Sequence, residues 1–211
     1  MHRIKTYNAL SSKGLKRFDS EWFEVGEGVD HPNAILLRSH KLQEAEIPNS
    51  VAAIARAGAG VNNIPVALCS ERGIPVFNTP GANANAVKEL VAAAMLLASR
   101  DIVGGIAFAR DQDSSLAPAD FSALMEREKK RFAGSELAGK TLGVIGLGAI
   151  GSLVARLGLD FGMDVVGFDP ALSVEAAWRL PSEVRRMKDV QTLLARSDFI
   201  SLHLPVLDST R

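Results

Sequence analysis

KTLGVIGLGAIGSLVARLGLDFGMDVVGFDP, Lys140 to Pro170, is the stretch that decides the fold. Thr141–Ile145 is a short apolar run, and Gly146, Gly148 and Gly151 then supply G-x-G-x-x-G. Ile150, Leu153, Val154, Leu157 and Phe161 follow at helical spacing. Asp164–Phe168 is a second apolar run, and Asp169 closes it 18 residues after Gly151. Strand, glycine turn, helix, strand and acid in this order form the dinucleotide-binding fingerprint. The spacing has physical reasons. Gly146 permits the tight turn out of the strand, Gly148 lets a pyrophosphate approach the backbone, and Gly151 lets the helix lie close to its strand. The pyrophosphate sits on free N–H groups at the positive end of the helix. Asp169 can accept from both ribose hydroxyls of NAD and would repel a 2′-phosphate, and Pro170-Ala171 offers no arginine for one. NAD is therefore expected as cofactor.

Outward from this stretch, the amino-terminal part also alternates strand and helix. Ile4–Tyr7, Ala34–Arg38, Val51–Arg56 and Ile74–Asn78 read as strands. Ser11–Phe18, a short piece near Lys41–Glu46, and a segment begun by Pro65 and stopped before Gly73 read as helices. A small open parallel sheet with helices on both faces is expected. A long helix, capped near Asn85, should run from about Ala86 to Ala109, apolar almost all round in its first half and weakened at Gly104-Gly105. Asp111–Asp120 is a loop by composition, and Phe121–Arg131 an amphipathic helix with Leu124 and Met125 inward. After Asp169 come short helices near Val174–Leu180 and Val190–Arg196, and a third strand at Phe199–Leu204, giving βαβαβ. The first strand of this unit is expected to keep an open edge where a fourth would dock.

Bulk properties exclude several classes of function. Apolar residues make up 47% and charged residues 23%, with 24 basic and 24 acidic side chains, so there is no electrostatic footprint for nucleic acid or an anionic membrane. Cys69 is the only cysteine and reads as a small packed side chain. With no glycosylation sequon, signal peptide or long apolar span, a reducing, cytoplasmic setting is the expectation. No metal site is expected. Glu44 and Glu46, and Glu126 and Glu128, are close carboxylate pairs, but both read as exposed helix surface rather than acid–base machinery.

Four blocks carry a family likeness: RAGAGVNN (Arg56–Asn63), GIPVFNTPGANANAVKEL (Gly73–Leu90), FAGSELAGKTLGVIGLGAIG (Phe132–Gly151) and FISLHLPVLDST (Phe199–Thr210). Together they resemble the D-isomer-specific 2-hydroxyacid dehydrogenases, in order along essentially the whole chain, and most strongly the branch that oxidises 3-phosphoglycerate. The resemblance implies an α/β chain with a flavodoxin-like substrate domain plus the first βαβαβ half of a Rossmann nucleotide-binding domain. The divisions it suggests are residues 1–99 for the substrate domain, 100–137 for a connecting helix and dimerisation arm, and 138–211 for the NAD-binding domain. It implies hydride transfer between C2 of a 2-hydroxy acid and the nicotinamide, with a homodimer or higher homo-oligomer and no nucleic-acid or membrane partner.

Residue by residue, the resemblance places Arg38 and Ser39 near the substrate, where a guanidinium makes bidentate contacts to a carboxylate or phosphate. Ala59, Gly60 and Val61 match a turn whose amides meet the substrate carboxylate, with Ala59 also on the nicotinamide side. Ala149 and Ile150 join Gly146, Gly148, Gly151 and Asp169 as cofactor contacts, and His203, Leu204 and Pro205 line the adenine side. His203 reads as packed or cofactor-adjacent rather than as an acid–base group. The family's substrate-holding arginine and its histidine–carboxylate pair find no counterpart here, so no catalytic residue is assigned and the chain alone is expected to be inactive. A non-catalytic dinucleotide-binding interaction module, or a dehydrogenase for glycerate, glyoxylate or lactate, is the alternative.

Overall fold

Strand-forming and helix-forming segments alternate to build two separate parallel sheets in the computed structural model, which describes residues 1–8, 10–113 and 115–204. The chain divides into two compact units, Met1–Asn83 and Ala84–Arg211. The first unit holds β1 (His2–Tyr7), α1 (Ser12–Leu15), β2 (Phe23–Gly26), β3 (Ala34–Leu37), β4 (Ala53–Arg56), α2 (Val66–Glu71) and β5 (Val76–Phe77). Its strand order is β2-β1-β3-β4-β5, every pairing parallel. That is the flavodoxin-like order, which has its switch point between β1 and β3.

Register explains the core of this unit. Tyr7 lies opposite Leu37, and Ile35 opposite Ile54, so these side chains share one face. Ile35, Leu37 and Ile54 pack there with Leu42, Ile47, Val51, Ile64, Cys69 and Ile74. Burial of each such aliphatic side chain contributes roughly 1.5–3 kcal/mol. Two expectations change. The helix read over Ser11–Phe18 is a single turn around Gly14, because the Asp19 carbonyl accepts from Trp22 and Phe23 N–H and turns the chain into β2, a strand not legible in FEVG. The piece near Lys41–Glu46 is a short 3-10 turn, Glu44–Glu46.

The second unit starts with α3 (Ala84–Ser99), α4 (Ile102–Arg110) and α5 (Pro118–Glu128). The sequence predicts one long helix, weakest at Gly104-Gly105; the break falls instead at Arg100-Asp101, with a bend of 68°. At the end of α3 the Ser99 carbonyl accepts from Ser135 N–H, and Asp101 caps α4 through the Gly104 N–H at 2.9 Å. Gly104 leaves room for the cap as it stands, since a Cβ there would push the Asp101 carboxylate aside. Among the described residues no single helix is long and apolar enough to cross a membrane.

Then follow β6 (Thr141–Ile145), α6 (Ala149–Asp160), β7 (Asp164–Phe168), α7 (Val174–Trp178), β8 (Arg185–Arg186), α8 (Val190–Leu194) and β9 (Phe199–Leu202). The order β8-β7-β6-β9 is that of a Rossmann sheet read 3-2-1-4. The two-residue β8 is not legible in the sequence, so the strand read as third is the fourth. It docks beside β6, where the open edge is expected; the edge belongs to β9. Leu142 and Val144 of β6 are fully buried and meet Val154 and Ala155 of α6. The other face carries Ile145, Val166, Met187 and Leu193.

Candidate functional site

The turn after β6 gives each fingerprint glycine a separate steric reason. Gly146 has φ +87°, and a Cβ on it would lie 2.8 Å from the His203 carbonyl group. Gly151 sits where the first turn of α6 crosses the strand end; a Cβ there would overlap the Gly146 carbonyl oxygen. Gly148 is the N-cap of α6, and nothing lies within 4 Å of the position its Cβ would take. The space beside Gly148 is open to a ligand, and α6, with no acidic residue in its first turn, presents the amides that follow, those of Ala149 and Ile150, at its positive end.

Asp169 crosses from the end of β7 to this turn. Its Oδ2 accepts from Leu147 N–H at 2.8 Å and its Oδ1 from Ala171 N–H at 2.8 Å. These bonds fix the carboxylate, and each oxygen retains acceptor capacity for a ribose hydroxyl. Leu147 itself is anchored in the core. A cavity of about 540 Å³ adjoins the turn, walled by Leu147, Asp169, Pro170, Trp178 and Arg186 among others. Leu204 packs over Gly146. The His203 N–H donates to the Ile145 carbonyl at 2.8 Å, and its Nε2 lies 2.8 Å from Ser201 Oγ. Burial pushes the His203 imidazole pKa down, in keeping with a packed histidine. Pro205 lies outside the described residues.

In the first unit, the other predicted residues gather at the carboxyl ends of β3 and β4. Asn8, in the left-handed region at φ +66°, turns its Oδ1 to accept from both Ser39 and His40 N–H, which fixes the segment that bears Arg38. Arg38 is exposed and forms no ion pair among the described residues. Asn63 Nδ2 donates to the carbonyls of Arg38 and His40 at 3.2 and 2.7 Å. The amides of Ala59, Gly60 and Val61 donate to no protein acceptor among the described residues. Three successive free N–H groups can hold an anion.

Sequence reasoning missed one pairing here. Glu46 is not simply exposed helix surface: its carboxylate takes His40 Nε2 at 2.9 and 3.0 Å, and the His40 ring stacks on Tyr7 at 4.4 Å. Burial, then the Glu46 charge, pushes the Tyr7 phenol up. Glu44 pairs with Arg72, and Glu126 and Glu128 pair with Lys129 and with Arg127 and Arg131. Cys69 is buried, and burial raises its thiol pKa. The described residues contain no cluster that could hold a metal.

A doubly wound sheet with this glycine turn, free helix amides and strand-end aspartate defines an NAD-binding unit, and the residues present fit that cofactor. A family model described as the NAD-binding domain of D-isomer specific 2-hydroxyacid dehydrogenases matches residues 92–211, more than half of the chain. The chain belongs to that family. The hydroxypyruvate reductase of Thermotoga maritima is 43% identical over 158 residues, 75% of this chain and 45% of that protein. The D-3-phosphoglycerate dehydrogenase of Methanocaldococcus jannaschii is 40% identical over 193 residues, 92% of this chain and 32% of that protein. The chain thus spans less than half the length of these curated relatives. The TT0316 protein from Thermus thermophilus aligns with a TM-score of 0.77 at 28% identity, over 99% of this chain and 66% of its own. The D-lactate dehydrogenase of Aquifex aeolicus, solved with NAD and lactic acid, aligns with a TM-score of 0.69 at 25% identity, over 99% of this chain and 62% of its own.

Proposed function

We propose that the chain handles cofactor and substrate for the NAD-dependent oxidation of a D-2-hydroxy acid, with 3-phosphoglycerate, oxidised to 3-phosphohydroxypyruvate, as the preferred substrate. The observation that carries this reading is the anion turn of the first unit: the strand end bearing Arg38 is joined through Arg56 to the loop that carries the free amides of Ala59, Gly60 and Val61. Arg38 would hold one anionic group of the substrate through paired N–H donors, and the turn amides would hold a carboxylate. NAD, when bound, supplies the acceptor for the hydride leaving C2. The α6 amides and Asp169 hold its pyrophosphate and ribose. A relative named hydroxypyruvate reductase favours a shorter, unphosphorylated acid as the second reading.

Oxidation also needs a base for the 2-hydroxyl proton. His40–Glu46 is the one histidine–carboxylate pair among the described residues, and its Nε2 is committed to Glu46 while its ring lies on Tyr7. The chain by itself is therefore proposed to bind without turnover. Exposed apolar side chains, Leu90 on α3 and Val103 and Ile106 on α4, support a homodimer that covers them.

Calorimetry on Met1–Arg211 tests the proposal. NAD should bind in preference to NADP, and 3-phosphoglycerate should bind with an affinity that falls at least about tenfold in Arg38→Ala. NADH formation from 3-phosphoglycerate should not exceed the rate without protein. Tight NADP binding without NAD binding would refute the cofactor reading, and unaltered acid binding in Arg38→Ala would refute the substrate site.

A further inference from the structure

We propose that Arg56 is a positioning residue, a clamp that orients the anion-binding turn without touching the substrate; this rests on the reading of that turn given above. Arg56 ends β4, and its side chain folds back over the turn. Nε donates to the Arg38 carbonyl at 2.9 Å, and Nη1 donates to the Gly60 carbonyl. One planar guanidinium thereby joins the strand end bearing Arg38 to the loop bearing the free amides.

The peptide plane explains what the clamp accomplishes. In a trans peptide the carbonyl and the following N–H point in opposite directions. The Gly58 carbonyl is taken by Thr79 N–H at 2.9 Å, the Ala59 carbonyl by Asn78 Nδ2 at 2.6 Å, and the Gly60 carbonyl by Arg56. The amides that share those peptide planes are those of Ala59, Gly60 and Val61, the three that lack a protein acceptor among the described residues. Each carbonyl tied down on one side leaves an N–H facing the other. Arg56 sets the last of them, Val61 N–H. The glycines of RAGAG fit the same account. A Cβ on Gly60 would stand 2.9 Å from Arg56 Nη1, and one on Gly58 would stand 3.4 Å from Nε. The small residues make room for the guanidinium, not only for a substrate.

The test compares Arg56→Ala and Arg56→Lys with the native chain, titrating 3-phosphoglycerate and D-glycerate by calorimetry and following backbone amide signals without ligand. Both acids should weaken by the same factor, about tenfold, in both variants, because lysine retains the charge but lacks the planar fork that aims Nε and Nη1 at the two carbonyls in fixed directions. Without ligand, the Gly60 and Val61 amide signals should shift or broaden while that of Gly148 stays native. Loss of 3-phosphoglycerate binding with D-glycerate binding retained would overturn the proposal, since Arg56 would then touch the phosphate. Native affinity in Arg56→Lys would also overturn it. If the native chain binds neither acid, the proposed substrate fails, and the ligand-free signals still decide the clamp: unchanged Gly60 and Val61 amides in Arg56→Ala refute it.

Discussion

Two alanine substitutions within one turn should part company. In Gly151→Ala the new methyl overlaps the Gly146 carbonyl oxygen and lies 2.9 Å from its carbonyl carbon, backbone against backbone, with Val144 Cγ1 at 3.3 Å behind. Neither partner is a flexible side-chain end, so α6 must lift away from β6. Overpacking of this kind costs about 1–3 kcal/mol, and the lift also displaces the amides meant for the pyrophosphate. In Gly148→Ala the methyl enters space empty to 4 Å, at φ −70°, which alanine adopts without strain. Stability should fall by no more than the roughly 0.5–1 kcal/mol typical of a poorer N-cap. The methyl nevertheless occupies the approach to the backbone, so NAD affinity should drop at least about tenfold, or 1.4 kcal/mol. Urea unfolding and NAD calorimetry on both variants separate the two effects: Gly151→Ala loses stability and binding, Gly148→Ala mainly binding. Native NAD affinity in Gly148→Ala, or a native unfolding midpoint in Gly151→Ala, would refute this account of the turn.

Asp169→Ala strips the acceptor from Leu147 and Ala171 N–H; it should cost about 1 kcal/mol of stability and narrow the preference for NAD over NADP, as measured by unfolding and by competitive titration. His203 is held below its ordinary pKa by burial, so the unfolded chain takes up that proton first as pH falls. Its contribution to stability is complete above the ordinary histidine range and is lost as pH drops through it; urea midpoints at about pH 7.5 and about pH 5.5 should differ less in His203→Phe than in the native chain. If the proposed homodimer forms through α4, light scattering should give a dimeric mass for the native chain and a monomeric one for Val103→Glu; equal masses for the two would count against this face.

The elements that could be read from sequence are those whose own residues decide them. β6 and β7 fall on the expected residues because strands buried on both faces are continuous apolar runs, and α6 is framed by its glycines and its apolar stripe. β2 and β8 escaped notice for the opposite reason. Each lies at a sheet edge, the alternation in FEVG is too short to stand out and RR has none, and each is defined by the strand it pairs with. The break after Ser99 depends on Ser135, far along the chain. The same holds at the candidate site. Arg38 and the RAGAG turn could be found by pattern, but the grip of Arg56 on Arg38 and the pairing of His40 with Glu46 follow from where β3, β4 and the 3-10 turn meet. Local composition cannot encode a hydrogen bond between two segments that only the fold brings together.

The place of β9 beside β6 also sets an order of assembly. β6 meets β7 through Leu142 and Val165, 23 residues apart, and meets β9 through Leu142 and Phe199, 57 residues apart. Closing the longer loop costs about 0.8 kcal/mol more chain entropy, so β6, α6 and β7 can form a first nucleus that β9 joins afterwards. Yet the His203 backbone, carried in with β9, is the floor under Gly146. If β9 docks last, the glycine turn is finished only with it, and nucleotide affinity during refolding should then appear after the β6–α6–β7 nucleus.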